Sequence, residues 1–377
     1  MARGSRLNPN KAIWLVLKEQ RLGLSEFRLA SGNWSPHTDL DRVAAAHGEI
    51  WNRLQGSNIL MTGATGTIGK WILEAILHAN LRFGLNISVT VLSRDPQKAK
   101  GLVSNLQSSQ HIKYIKGDIK NLQLPSYQVS YVIHGAAPTS DQAENLDQIE
   151  IFNAIVSGTK NLLEMTKTAD TPRFLFLSSG AVYGPQPNDV LLEDESQMTA
   201  PDTTDPSYVY GEAKRAAEML CSVYSSEFGI QPTIARIFAV VGPGMPLNKH
   251  FAIGNFISDY LCGRKIEILG TGKPIRSYLY LADVAHWLLK LLIDGAVGSA
   301  YNVGSEHALS LLDLAELVNT TLDVRGVVAR GQAEKGPNPG RYVPSTAKAR
   351  DELGLRESFT LQESIVRTAE WYRSIYT

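Results

Sequence analysis

The chain has 377 residues and a mass of 41.3 kDa, with 44% hydrophobic and 20% charged residues, a globular composition that suits one large α/β domain or two lobes. Basic and acidic residues number 37 each, so no net positive field exists to hold nucleic acid or an anionic membrane. Two cysteines, Cys221 and Cys262, rule out a disulfide framework or a zinc knuckle and fit a reducing compartment. The apolar run Ala12 to Leu17 is too short for a signal-peptide core, and no stretch nears the ~20 apolar residues of a membrane span. A soluble cytoplasmic protein without a metal site is expected.

Residues 1–56 read as an N-terminal helical extension. Asp39 to Leu54 places Leu40, Val43, Ala44, Ile50, Trp51 and Leu54 on one helical face, with Thr38 or Asp39 as a cap. Over residues 57–240 short β-branched runs alternate with helical stretches. The expected strands are Asn58 to Thr62, Ile87 to Leu92, Ile112 to Ile115, Ser130 to His134, Arg173 to Ser178 and Pro232 to Phe238. Ile68 to Ala79 and Ile149 to Thr168 read as helices between them. Wholly apolar strands separated by helices predict an α/β fold: a doubly wound parallel sheet of Rossmann type, binding ligands at the carboxyl ends of its strands. Residues 241–377 read mainly as a smaller, loop-rich substrate-binding lobe, with some segments returning to the core. Gly and Pro punctuate it at Gly242 to Pro246 and Gly270 to Pro274.

Gly63-Ala64-Thr65-Gly66-Thr67-Ile68-Gly69 directly follows the first strand and opens the first helix of this domain. The glycines permit a tight turn and close approach of a pyrophosphate, which the helix N-terminus stabilises. The second strand ends in Ser93-Arg94-Asp95. A hydroxyl and a guanidinium suit a 2′-phosphate, so NADP is favoured over NAD, which Asp95 keeps in play. Tyr210 and Lys214 stand four residues apart, on one face of a helix. An ammonium beside a phenol lowers the phenol's pKa and readies it to move a proton, while also reaching a nicotinamide ribose. Upstream, Phe174-Leu175-Phe176-Leu177 delivers Ser178 and Ser179 to a strand end, where a hydroxyl can polarise the same substrate oxygen.

With these motifs the chain resembles the extended short-chain dehydrogenase/reductases of the nucleotide-sugar epimerase/dehydratase type, over roughly residues 57–375. Gly63, Gly66 and Gly69 match the glycine pattern, Tyr210 and Lys214 the Tyr-x-x-x-Lys, and Ser179 the strand-end hydroxyl. Gly117-Asp118-Ile119 resembles the segment at the adenine, and Val132 to Ala137 the strand that lines the cofactor with Ala136 and Ala137. Arg276 to Asp283 resembles the segment whose arginine grips a diphosphate. The resemblance implies NAD(P) and C4 chemistry on a hexose carried by a nucleoside diphosphate. Tyr210 then moves the O4 proton, Ser179 bonds that oxygen, and Arg276 with Arg341 neutralises the diphosphate. It also implies a homodimer through the helices near Ile149 to Thr168 and Tyr210 to Phe228.

Three departures narrow the reaction. Gly180-Ala181 stands where the family's dehydratases carry an Asp-Glu pair and its decarboxylases a Glu at the second position, which favours a 4-ketoreductase or a 4-epimerase. Ala239 replaces an Asn that touches the nucleotide sugar, and the segment after it offers His250 and Asn255 as substrate contacts. The N-terminal extension is the third. Two other readings stand beside these: a dehydratase or decarboxylase with a relocated acid such as His250, and a dinucleotide-binding sensor without turnover.

Overall fold

In the computed structural model, residues 35–46, 48–98, 109–121, 129–138, 147–167, 173–187, 189–197, 199–247, 251–331 and 340–376 are described. The six expected strands are present as β1 (Asn58–Thr62), β2 (Ser88–Ser93), β3 (Ile112–Lys116), β4 (Tyr131–His134), β5 (Arg173–Ser179) and β6 (Gln231–Ile237). A seventh strand, Ala300–Val303, completes a sheet that runs Ala300–Val303, β6, β5, β4, β1, β2, β3. Every pairing in it is parallel. The strand order reverses between β1 and β4, the crevice where an open parallel sheet binds ligands.

The apolar strand runs serve two cores by alternation. Ile59 and Met61 of β1 enter the core with Trp71, Ile72 and Leu288, while Leu60 between them enters a second core with Val132, Phe174, Phe176 and Ala213. A strand covered on both faces has no polar side to show, which is why these runs do not alternate. The helices Thr67–Phe83 and Leu281–Asp294 cover one face, and Gln148–Thr166 and Val209–Phe228 the other.

The second half of the chain is more helical than the expected loop-rich lobe. Besides Leu281–Asp294 it contains helices Ala252–Leu261, Leu311–Leu322, Ala347–Leu353 and Leu361–Tyr376. In Leu281–Asp294 only Lys290 and Asp294 escape burial, so this helix carries no polar stripe from which a helical period could be read. With the strand Ala300–Val303 it belongs to the sheet domain.

The N-terminal extension folds as two helices, Pro36–Ala46 and Glu49–Leu54, and the predicted apolar face is buried. Neither predicted cap acts as one. Thr38 donates back to the Ser35 carbonyl at 2.7 Å. Asp39 is 2% exposed and accepts from the Tyr280 hydroxyl (2.6 Å) and the Arg367 guanidinium (2.8 Å). A buried carboxylate is stable only when paired in this way, and it staples the extension to the short strand Leu279–Tyr280 and to the helix Leu361–Tyr376. Among the described residues no helix is long and apolar enough to cross a membrane. Replacing Asp39 by Ala removes the acceptor of a guanidinium and a phenol, and chemical denaturation should record a loss of about 2–4 kcal/mol.

Candidate active site at the strand ends

At the carboxyl end of β1 the chain turns at Gly63, whose φ of +75° lies in the left-handed region. A methyl group there would run into the Gly135 carbonyl and come within 2.8 Å of the Ala136 nitrogen, so β1 and β4 meet backbone to backbone. Gly66 caps the helix Thr67–Phe83 without a side chain to take its first N–H groups. A methyl at Gly66 would lie 3.4 Å from the Gly63 carbonyl, its nearest neighbour. Bare N–H groups at the positive end of a helix, beside an open glycine, fit a dinucleotide's pyrophosphate. Thr65 and Ile68 line this turn half-buried. Thr67 turns its hydroxyl away, to the Gly244 carbonyl at 3.1 Å, and Trp71 donates to the Pro243 carbonyl at 2.9 Å.

The neighbouring strand ends close into small turns. Ser93 accepts from the Asp95 N–H at 3.2 Å, and Arg94 is exposed. Asp118 accepts from the Lys120 N–H at 2.9 Å. Ile119 and Ala137 pack against the second core, Ile119 facing Gly158 of the helix beneath. Between β1 and β4 lies a network that the sequence reading passed over. His134 is 1% exposed and bonds Thr62 (2.7 Å) and Thr159 (3.0 Å). Thr159 gives its proton to the Ile155 carbonyl, so it accepts from the imidazole. Burial, with Lys214 nearby, pushes the ring's pKa down to about 3, so the ring is neutral, and its other nitrogen accepts from Thr62, which itself receives the Ala136 N–H.

At the end of β5 the structure brings Ser179, Tyr210 and Lys214 together. Ser179 caps the turn Gly180–Tyr183, accepting from the Ala181 N–H at 3.2 Å. The helix Val209–Phe228 starts against that turn, close enough that a methyl at Gly211 would lie 2.6 Å from the Ala181 carbonyl. This approach sets the Tyr210 phenol beside the Ser179 hydroxyl. Tyr210 is 36% exposed, yet desolvation of its phenol holds it above its ordinary pKa, with Ser179 opposing. The expected lowering by Lys214 is not what dominates here. Its ammonium donates to the Leu177 carbonyl at 2.7 Å and stands 5.9 Å from the Tyr210 ring centre. Lys214 is itself pushed down to about 8 by burial, with Glu218 opposing. Glu218 accepts from Ser178 (2.5 Å) and pairs with Arg236 (2.7 Å), which anchors the tyrosine helix to β5 and β6.

The later residues divide. Arg276 sits on a short strand, Ile275–Arg276, paired with Arg341–Tyr342. Arg341 is not turned toward Arg276: its guanidinium donates to the Leu191 carbonyl at 2.6 Å. The residue in register with Arg276 is Tyr342, whose hydroxyl lies over Gly180 and whose ring packs, tilted, on Phe238 with centres 4.6 Å apart. Asn255 lies half-buried in the helix Ala252–Leu261, and His250 falls outside the described residues. Neither Tyr342 nor Phe238 was foreseen. Pleat parity is the signal that separates Tyr342 from Arg341, and it needs the strand pairing to be known.

Residues 59–304 match the model of the NAD dependent epimerase/dehydratase family. The chain belongs to that family. It is similar to UDP-glucuronic acid decarboxylase 1 of Xenopus tropicalis, 27% identical over 84% of this chain and 72% of that protein. A dTDP-glucose 4,6-dehydratase of Streptomyces niveus is likewise 27% identical, over 84% and 92%. Among solved structures, a UDP-glucose 4-epimerase of Thermotoga maritima superposes with a TM-score of 0.72 at 23% identity, covering 85% of this chain and all of that one.

Two glycine variants separate fold from binding at the cradle. Gly66→Ala has room for its methyl group and should keep the melting temperature while weakening dinucleotide affinity about 10-fold or more, read by calorimetry. Gly63→Ala should lower the melting temperature itself. The buried His134 sets an acid limb of stability. Its folded pKa of about 3 lies below the unfolded value near 6.5. Between those values the unfolded chain takes up a proton that the native chain refuses. Stability contributed by this site is thus whole above pH ~6.5 and falls by about 1.4 kcal/mol per unit as pH drops toward 3. His134→Gln should flatten that limb in denaturation curves taken across pH.

Proposed function

We propose that the chain is a nucleotide-sugar oxidoreductase working at C4 of the hexose, as a 4-ketoreductase or 4-epimerase. One observation carries the reading: Tyr210 and Ser179 meet beside a Gly180-Ala181 turn in which the space above Gly180 is already filled. A methyl at Gly180 would lie 2.7 Å from both the Phe238 ring and the Tyr342 hydroxyl. An elimination needs an acid next to the strand-end hydroxyl, and this turn offers none. The substrate class follows from the relatives, whose names specify UDP-glucuronic acid, dTDP-glucose and UDP-glucose.

A bound nicotinamide dinucleotide supplies hydride exchange at C4. The backbone of Gly63, Thr65, Gly66, Thr67, Ile68 and Gly69 would hold its pyrophosphate, and Asp118, Ile119, Ala136 and Ala137 would line its path. Ser93 and Arg94 favour the 2′-phosphate of NADP. Arg276 meets the sugar's diphosphate. Tyr210 stands as a neutral phenol, the form that gives a proton to a carbonyl oxygen, which supports reduction of a 4-keto sugar. The 4-epimerase reading uses the same groups but needs Tyr210 as the phenolate, which takes the O4 proton as hydride leaves C4 and returns it when hydride comes back. Exposed Ile149, Met219, Val223 and Phe228 support a homodimer through the helices that carry them.

The test is turnover of UDP- and dTDP-4-keto-6-deoxyhexoses with NADPH, followed by loss of reduced-nicotinamide absorbance. Tyr210→Phe should slow it about 100-fold or more while dinucleotide affinity stays unchanged. Wild-type rates in that variant would sink the assignment. Tightly held NAD with interconversion of C4 epimers would select the epimerase.

A further inference from the structure

Residues 242–245 present three successive carbonyls, and each accepts from a side chain of a helix. The Pro243 carbonyl takes the Trp71 N–H at 2.9 Å, and the Gly244 carbonyl takes the Thr67 hydroxyl at 3.1 Å. Thr67 and Trp71 stand four residues apart, on one face of the helix that opens at Gly66. The Met245 carbonyl takes the Tyr372 hydroxyl from the helix Leu361–Tyr376. The first turn of the cradle helix is thus tied to this loop at two points, one of them a residue whose backbone belongs to the cradle.

Both ends of the loop trace back to a single carboxylate in the N-terminal extension. The loop leaves the strand Val240–Val241, which pairs with Leu279–Tyr280, Val241 in register with Tyr280. The Tyr280 hydroxyl donates to Asp39 Oδ2 at 2.6 Å. Its ring meets Trp71 edge-on with centres 5.7 Å apart and Phe359 with centres 4.8 Å apart. Asp39 Oδ1 accepts from Arg367 at 2.8 Å, on the same helix as Tyr372. Hydrogen bonds to an ionised group are the strong and directional ones, and Asp39 is 2% exposed, away from competing water. One arm from Asp39 fixes where the loop begins and the other where it ends.

We propose that Asp39 is a positioning residue for the dinucleotide: through Tyr280 and Arg367 the N-terminal extension holds the loop of residues 242–245, which sets the first turn of the cradle helix. The inference rests on the reading of the glycine turn as a dinucleotide site. Backbone N–H groups act on a pyrophosphate only within hydrogen-bond reach, so a small shift of that turn weakens every contact at once. The extension then contributes to cofactor affinity as well as to stability.

The experiment is calorimetric titration of the full chain with NAD and with NADPH, at a temperature where circular dichroism shows every variant folded. Asp39→Ala should weaken dinucleotide affinity about 5-fold. Thr67→Val deletes the hydroxyl on the Gly244 carbonyl, keeps the branched shape, and should weaken affinity about 5- to 10-fold. On the Thr67→Val background Asp39→Ala should add less than about two-fold, because that link to the cradle is already cut. Ile50→Ala empties a buried position in the neighbouring helix Glu49–Leu54. It should lower the melting temperature, as Asp39→Ala does, and leave affinity unchanged, a split that general destabilisation does not produce. Should Asp39→Ala fail to fold, Tyr280→Phe removes one hydroxyl, keeps both ring contacts, and runs the same cycle with an effect of about three-fold. Wild-type affinity in the folded variant, an equal loss with and without the Thr67 hydroxyl, or the same loss in Ile50→Ala would overturn the inference. A wild-type protein that binds neither dinucleotide would instead sink the cradle reading, and this inference with it.

Discussion

A neutral imidazole in the middle of an apolar sheet holds the ends of β1 and β4 in register. His134 accepts from Thr62 on one side and donates to Thr159 on the other, and Thr62 in turn receives the Ala136 N–H. Each polar atom in this network has a partner, which is the condition for polar groups to be stable at such depth. The geometry that results brings Gly63 against Gly135 without a side chain between them. The cradle, the β4 end that faces it and the helix Gln148–Thr166 that carries Thr159 are thereby fixed as one unit.

The tyrosine side of the site is built by a different device. Glu218 joins Ser178 of β5 to Arg236 of β6 and sits one turn from Lys214. The helix that bears Tyr210 is locked to the sheet by charge rather than by apolar contact alone. Lys214, held on the Leu177 carbonyl and above the Phe176 ring, stays poised next to the phenol without touching it.

The strands and the cradle were legible because their physics is local. A run such as Ile59, Leu60, Met61 followed by glycines and an apolar helix admits one reading. Ser179, Tyr210 and Lys214 were legible because the strand end and the helical spacing place them independently of the rest. Other parts depend on contacts across the whole chain. Arg341 and Tyr342 are neighbours in sequence, and only the pleat of a strand paired with Ile275–Arg276 decides which one enters the site. Asp39 looked like a cap because acidic residues favour helix starts, yet its partners, Tyr280 and Arg367, lie far along the chain. Leu281–Asp294 hid its helical period by being buried nearly all round.

The filled space above Gly180 has a consequence for how this sequence can change. An acid cannot enter at position 180 while Phe238 and Tyr342 keep their rings, since its first carbon would already collide with both. Removing a ring first would leave a void over Ser179 with nothing to occupy it. Change at position 180 is therefore tied to positions 238 and 342, three separate segments of the chain that meet over this one turn.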